Sequence, residues 1–394
     1  MKIKGFSTSA VAAGIRYKDR LDLGLIYSDT PAVTAGVFTE NQVKAAPVLI
    51  DKERLKQGRA QAILVNSGVA NACTGKAGMA AAFSTSSLLS SRLHIEDEMV
   101  LLSSTGVIGE QLYLPAFRSS MDALVDGLSE DSFADVANAI MTTDTVPKLV
   151  SRSVMIGDHE VKFMGMAKGA GMIMPNMATM LSFVITDAQI SFPELQLSLR
   201  EATNTTFNRI SIDGDTSTND MVLVMANGTA SNAWIDEDNP LDRQAFQDTL
   251  EDVLKDLALQ IVADGEGATK CITIRVCGAR NGKDAEKIAR TVANSSLVKT
   301  AFFGEDANWG RILAAMGRSG VRFNPDRVDI AIGDIVLVRD GLAVGKKAEK
   351  EATALLKEKN IAVRLDLKDG VGCEEMYTCD FSLDYVKINA DYRS

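Results

Sequence analysis

Residues 221–225 read MVLVM, residues 241–263 read LDRQAFQDTLEDVLKDLALQIVA, and residues 271–276 read CITIRV. The two short runs are rich in apolar and β-branched side chains and read as strands. Between them Leu250, Val253, Leu254, Leu257 and Ile261 recur at the i, i+3, i+4, i+7 spacing of a packed helix face. The alternation continues outward. AILV at 62–65 and VLL at 100–102 flank the Ala/Ser-rich stretch 77–92, which suits a helix, and SFADVANAIM at 132–141 has apolar residues at helical spacing. Stretches 285–293 and 350–359 read as further helices. From 361 to 388 apolar and polar residues alternate, broken at Asp369 and Gly370, which predicts successive antiparallel strands. The expected fold class is α/β in the broad sense, mixed α+β with antiparallel sheet. With 394 residues the chain is long enough for two or three packed units of about 150 residues each.

Composition narrows the function. Forty-six per cent apolar and 24% charged residues describe a globular chain with a sizeable core. A net charge of −10, from 42 basic and 52 acidic residues, argues against nucleic acid as a partner, since phosphate contacts need a basic face. Cys73, Cys271, Cys277, Cys373 and Cys379 are an odd count, so no disulfide framework is expected. The two C-x5-C pairs fall in strand-like stretches with both partners on one face, and are read as buried small apolar side chains, with no metal site expected. His94 and His159 each sit beside acids and read as surface groups, so the base of an enzyme built on this chain is not histidine. The opening MKIKGF lacks the apolar run of a signal peptide. Residues 169–186 include no charge but do include Pro175 and Asn176, a turn signal that favours buried core over a membrane span. A soluble, cytoplasmic chain with no membrane partner is expected.

Three segments have the residue types of a reactive site. DGEGATK at 264–270 fails the spacing of a phosphate loop and reads as a turn ending the helix before it, with Glu266 held between two glycines. SSTGVIG at 103–109 follows an apolar strand, and a hydroxyl beside Gly at a strand end offers a side-chain donor and a backbone N–H to a developing oxyanion. KGAGMIMPNMATML at 168–181 lies in a methionine-rich stretch, read mainly as adaptable core filling. Its Pro175-Asn176 predicts a turn, and Ala178-Thr179 opens an apolar strand. A small residue before Thr in such a turn is what an N→O acyl shift needs. The hydroxyl attacks the preceding carbonyl, the chain is cut, and the freed α-amine, with a pKa of about 8, then serves as base for its own hydroxyl.

That segment resembles the self-cleavage segment of the ornithine acetyltransferases, the bifunctional glutamate N-acetyltransferases of the arginine pathway. Five further blocks resemble the same family in the same order: STGVIG (104–109), MTTDTVPK (141–148), SIDGDTSTND (211–220), FFGEDANWGRI (302–312) and VKINADYRS (386–394). In NSGVANAC (66–73), Val69 stands where the family has a polar residue.

The resemblance implies an α/β self-processing fold related to a self-cleaving aminopeptidase group. It implies a cut between Ala178 and Thr179, giving an α chain 1–178 and a β chain 179–394, assembled as an α2β2 heterotetramer. It further implies that Thr179 takes the acetyl group from N2-acetylornithine and passes it to glutamate, with Thr105 and Gly106 as the oxyanion-hole pair. Thr142, Lys168, Thr179, Glu266, Asn389 and Ser394 match the family's substrate-binding positions, Ser394 keeping the hydroxyl of the usual Thr. No cofactor is implied; acetyl-CoA stays open as an alternative acetyl donor. A related amidase or aminopeptidase using water as acceptor is the competing reading.

Overall fold

Two mixed sheets organise the chain, and the computed structural model, which describes residues 1–174 and 180–391, places them in two units. The first unit comprises Met1–Gly169, Pro175–Asn208 and Thr216–Ile261. Its strands are β1 (Phe6–Val11), β2 (Leu23–Phe38), β3 (Arg59–Asn66), β4 (Val100–Ser104), β5 (Lys148–Ile156), β6 (His159–Lys168), β7 (Leu181–Thr186) and, after β8 (Ile210–Ser211) of the other unit, β9 (Met221–Ala226). They are ordered β4-β3-β2-β9-β7-β6-β5, with β1 on β2. Pairs β3/β4 and β7/β9 are parallel and the rest antiparallel. Period-2 alternation in β3 divides its side chains between two cores. Ile63 and Val65 join Phe133 and Val136, whereas Leu64 joins Leu89 and Phe117. Every residue of β7 and β9 is buried, which is why both read as unbroken apolar runs.

The helices here are α1 (Ala46–Arg54), α2 (Gly75–Leu93), α3 (Leu114–Asp126), α4 (Phe133–Ala139), α5 (Phe192–Thr205) and α6 (Pro240–Ala263). The α6 stripe Leu250, Val253, Leu254, Leu257 and Ile261 is fully buried, as its spacing predicts. Among the described residues no helix is long and apolar enough to cross a membrane, and the uncharged run ends in the buried strand β7.

The second unit comprises Ala170–Met174, Arg209–Asp215 and Val262–Ser394. Its sheet runs β13-β12-β11-β14-β10-β15-β8. Besides β8 these are β10 (Cys271–Ala279), β11 (Asp329–Ile332), β12 (Ile335–Arg339), β13 (Leu342–Ala343), β14 (Asn360–Asp366) and β15 (Gly372–Cys379). Its helices are α7 (Gly282–Ala293), α8 (Ser296–Phe303), α9 (Trp309–Gly317), α10 (Lys346–Leu355) and α11 (Leu383–Ala390). Ile272, Ile274 and Val276 of β10 pack with Ile288 and Val292 of α7 in one core. In the FFGEDANWGRI block, Asn308 caps α9 by accepting from the Arg311 N–H.

Three expectations are corrected here. The tail is not a run of successive antiparallel strands. β10 lies between β14 and β15, parallel to the first and antiparallel to the second, and the chain then ends its described part in α11. That helix starts because Ser382 accepts from the N–H groups of Asp384 and Tyr385, with Asp384 also favourable in the first turn. The helix expected at 350–359 starts earlier and ends earlier, at Lys346–Leu355. Finally, the paired cysteines are not uniformly buried. Strand alternation gives Ile272, Ile274 and Val276 the core positions, so Cys271 and Cys277 take the half-exposed face, and Cys277 is disulfide-bonded to Cys373 on β15.

Candidate active site

In the first unit, the turn after β4 is fixed by side-chain amides. Asn66 Nδ2 donates to Val69 O at 2.9 Å, and Asn219 Nδ2 donates to Ala70 O at 2.6 Å and Ser104 O at 2.7 Å. Thr105 spends its backbone N–H on Asn66 O at 3.0 Å. Its hydroxyl and the Gly106 N–H have no hydrogen-bond partner among the described residues, so both donors are available. Gly106 has φ +127°, and a Cβ there would lie 2.2 Å from the Gly68 carbonyl carbon, so only glycine fits. Val69 is buried and bridges both Thr105 and Val107, so an apolar side chain suits this position.

Asp144 gathers two of the expected substrate residues. Its Oδ2 accepts from Thr142 N at 3.1 Å, and its Oδ1 accepts from Gly169 N at 2.7 Å and from Lys148 Nζ at 2.6 Å. Thr142 and the chain just beyond Lys168 are thereby tied to one buried carboxylate. Burial alone would push that carboxyl up. The Lys148 and Lys168 charges and the hydrogen bonds outweigh burial and hold it below the usual 3.8. Lys168 ends β6 opposite Leu181, the first residue of β7, and Met180 O accepts from Met221 N. Asp220, just before β9, is fully buried. Burial holds its carboxyl well above the carboxylate range, against a Ser217 hydrogen bond and the Lys168 charge. Its Oδ2 has no hydrogen-bond partner among the described residues.

The side chains of the Asp144–Lys148 pair are fully buried, so removing Lys148 takes a direct ion-pair partner from a buried carboxylate. Lys148→Met is expected to destabilise the chain by about 3–5 kcal/mol, read as a lowered urea midpoint at pH 7. Because Asp144 titrates lower folded than unfolded, the stability it contributes is present above its unfolded value of 3.8 and lost as pH falls through its folded value. The wild-type midpoint therefore falls below about pH 4, and Lys148→Met flattens that acid limb.

In the second unit, Glu266 is 7% exposed. Its N–H donates to Ala170 O at 2.8 Å and its Oε2 accepts from Asn389 Nδ2 at 2.7 Å. The two expected substrate residues Glu266 and Asn389 are thus brought into direct contact. The glycines around Glu266 serve close approach within the protein. A Cβ on Gly267 (φ +66°) would lie 2.6 Å from Tyr385 N at the start of α11, and one on Gly171 would lie 2.4 Å from the Glu266 carboxyl carbon. The turn expected at 264–270 is present between α6 and β10. Ala178, Thr179 and Ser394 lie outside the described residues. The two histidines stay at the surface, His94 as the left-handed cap of α2 and His159 exposed at the start of β6.

Asp144, Lys148, Asp213, Asn219 and Asp220 are, besides Asn66, polar residues that sequence reasoning left without roles. All fall inside the quoted blocks MTTDTVPK and SIDGDTSTND, and that placement was the signal available.

The model of the ArgJ family matches residues 7–394. The chain is 68% identical over its whole length to the arginine biosynthesis bifunctional protein ArgJ of Desulfotalea psychrophila, and covers all of that protein. It is 50% identical to the protein of the same name from Geobacter sulfurreducens, with both chains covered in full. The crystal structure of arginine biosynthesis bifunctional protein ArgJ from Bacillus halodurans is 49% identical, at a TM-score of 0.52, over 54% of this chain and 99% of that one. A family match across nearly every residue, with full-length relatives at half identity and above, places this chain in the ArgJ family.

Proposed function

We propose that this ArgJ-family chain is the acetyltransferase of arginine biosynthesis that moves the acetyl group of N2-acetylornithine to glutamate, releasing ornithine and N-acetylglutamate. The observation that carries the reading is the family match over 7–394, together with full-length relatives named as arginine biosynthesis bifunctional proteins. The precursor cuts itself between Ala178 and Thr179 into an α chain 1–178 and a β chain 179–394, which assemble as an α2β2 heterotetramer in the cytoplasm. The sheet supports such a cut without loss of the fold. β7 and β9 lie after the cut, yet β7 pairs with β6 over 163–168 and β9 with β2 over 33–38, so main-chain ladders hold the pieces together.

In the reaction, the Thr179 amine takes the proton of its own hydroxyl, whose oxygen attacks the acetyl carbonyl carbon. The Thr105 hydroxyl and Gly106 N–H receive the oxyanion. The C–N bond breaks, the proton passes to the ornithine nitrogen, and acetyl-Thr179 remains. The glutamate amine then attacks the ester carbonyl carbon, the C–O bond to Thr179 breaks, and the amine's proton passes to the Thr179 oxygen, restoring the hydroxyl and releasing N-acetylglutamate. Lys168 faces the substrate α-carboxylate, Glu266 balances the δ-ammonium of acetylornithine, and Thr142, Asn389 and Ser394 complete the binding set. No cofactor is required, and acetyl-CoA remains open as a second donor.

Ornithine release from acetylornithine tests this. Without glutamate the expected result is a burst of one ornithine per β chain, and with glutamate steady turnover under ping-pong kinetics. Continuous acetate release without glutamate would assign the chain to the amidase class instead.

A further inference from the structure

Acetyl transfer as described makes no use of Asp213, yet in the second unit this carboxylate grips the chain just ahead of the cleavage segment. Its Oδ2 accepts from Met172 N at 2.6 Å, and its Oδ1 accepts from Ile173 N at 2.9 Å and from Asp215 N at 3.2 Å. The Tyr385 hydroxyl donates to Oδ2 at 3.4 Å from α11, the helix that also holds Asn389 on Glu266. Flanking bonds complete the grip: Ala170 O accepts from Glu266 N at 2.8 Å, and Ile173 O accepts from Ile212 N at 2.7 Å. Met172 sits in the left-handed region at φ +57°, a conformation unfavourable for a non-glycine residue that persists only where neighbours impose it. A carboxylate on two consecutive N–H groups imposes it through charge-assisted bonds about twice as strong as neutral ones.

We propose that Asp213 is a positioning residue for self-cleavage, fixing Met172 and Ile173 so that the chain enters the Ala178–Thr179 segment in the conformation the acyl shift needs. The inference rests on the self-cleaving reading. The shift itself is a short-range attack by the Thr179 hydroxyl oxygen on the Ala178 carbonyl carbon, and misplacement by about 1 Å costs such a step up to ~10²-fold. Thr179 lies seven residues after Met172 in sequence, so Asp213 holds main chain close in sequence to the proposed cut. Asp213 is not required for the chemistry of the cut, only for its geometry.

The test is a time course of the full chain made by cell-free translation, stopped at intervals and resolved on a denaturing gel. Compared are wild type, Asp213→Asn, Asp213→Ala and Ile330→Ala, the last removing a buried side chain from the same unit far from residues 170–174 in sequence. Melting temperatures of the same substitutions in an uncut Thr179→Ala background give their cost to the fold. The expected result is cleavage at least ~10-fold slower in Asp213→Ala and intermediate in Asp213→Asn, which keeps one acceptor oxygen. Ile330→Ala should cleave at the wild-type rate despite an equal or larger loss of melting temperature. Asp213→Ala cleaving within twofold of wild type overturns the proposal, as does Ile330→Ala slowing in step with its melting temperature. If wild type itself stays uncut, the self-cleaving reading falls and the proposal with it, a result distinct from either of those.

Discussion

Replacing Thr179 with alanine is expected to leave one uncut chain of 42.3 kDa with no measurable acetyl transfer, and wild type is expected to resolve into pieces of 178 and 216 of the 394 residues, about 19 and 23 kDa. In the proposed mechanism one hydroxyl does two jobs, so one substitution removes both. Without it no ester forms with Ala178, the α-amine that serves as base is never released, and no acetyl-enzyme exists for glutamate to resolve. Loss of a nucleophile that works as a unit with its base typically costs on the order of 10⁴–10⁶ in kcat. Thr179→Ser separates the two jobs from mere disturbance of the segment: it keeps the oxygen and should still yield two pieces and turn over. An Ala variant that is cut on schedule, or that transfers acetyl groups, would falsify the mechanism. Edman sequencing of the larger wild-type piece should begin at Thr179.

The parts of this molecule that were legible in the sequence are those where one periodicity dominates. The α6 stripe, the unbroken apolar runs of β7 and β9, and the turn after α6 follow from spacing alone. Where two rules compete, reading fails. In 383–390 the short alternation Val386, Lys387, Ile388 suggests a strand, but the Ser382 cap and the Asp384 first turn make it a helix. Residue type suggests a core place for the cysteines of β10, but the neighbouring isoleucines take that face. The roles proposed for Thr105, Gly106, Lys168 and Glu266 are of a kind that a motif can announce. Those of Asp144, Asn219 and Asp213 are not, because their work is to hold backbone groups distant in sequence: Asn219 spans 115 residues to Ser104 and Asp213 spans 41 to Met172. An isolated sequence offers no periodicity for a contact of that kind, and only the fold brings the partners together.

The second large effect is expected at Thr105. Its N–H is committed to Asn66 O, so removing the hydroxyl deletes one proposed oxyanion donor and leaves that main-chain bond in place. Thr105→Ala should lower kcat by roughly 10²–10³, about 2.7–4 kcal/mol of transition-state stabilisation. KM should move far less, because the donor is aimed at charge that develops only in the transition state. Thr105→Ser restores the hydroxyl and should recover most of the rate. Gly106→Ala is the poorer probe: its Cβ would meet the Gly68 main chain at 2.2 Å, so lost activity there would report a broken turn. Activity is to be normalised to the amount of the ~23 kDa piece, the 216-residue share of 42.3 kDa, so that slower self-cleavage is not counted as slower transfer. An unchanged kcat in Thr105→Ala would remove the hydroxyl from the oxyanion hole and leave Gly106 N–H as the one donor this turn supplies.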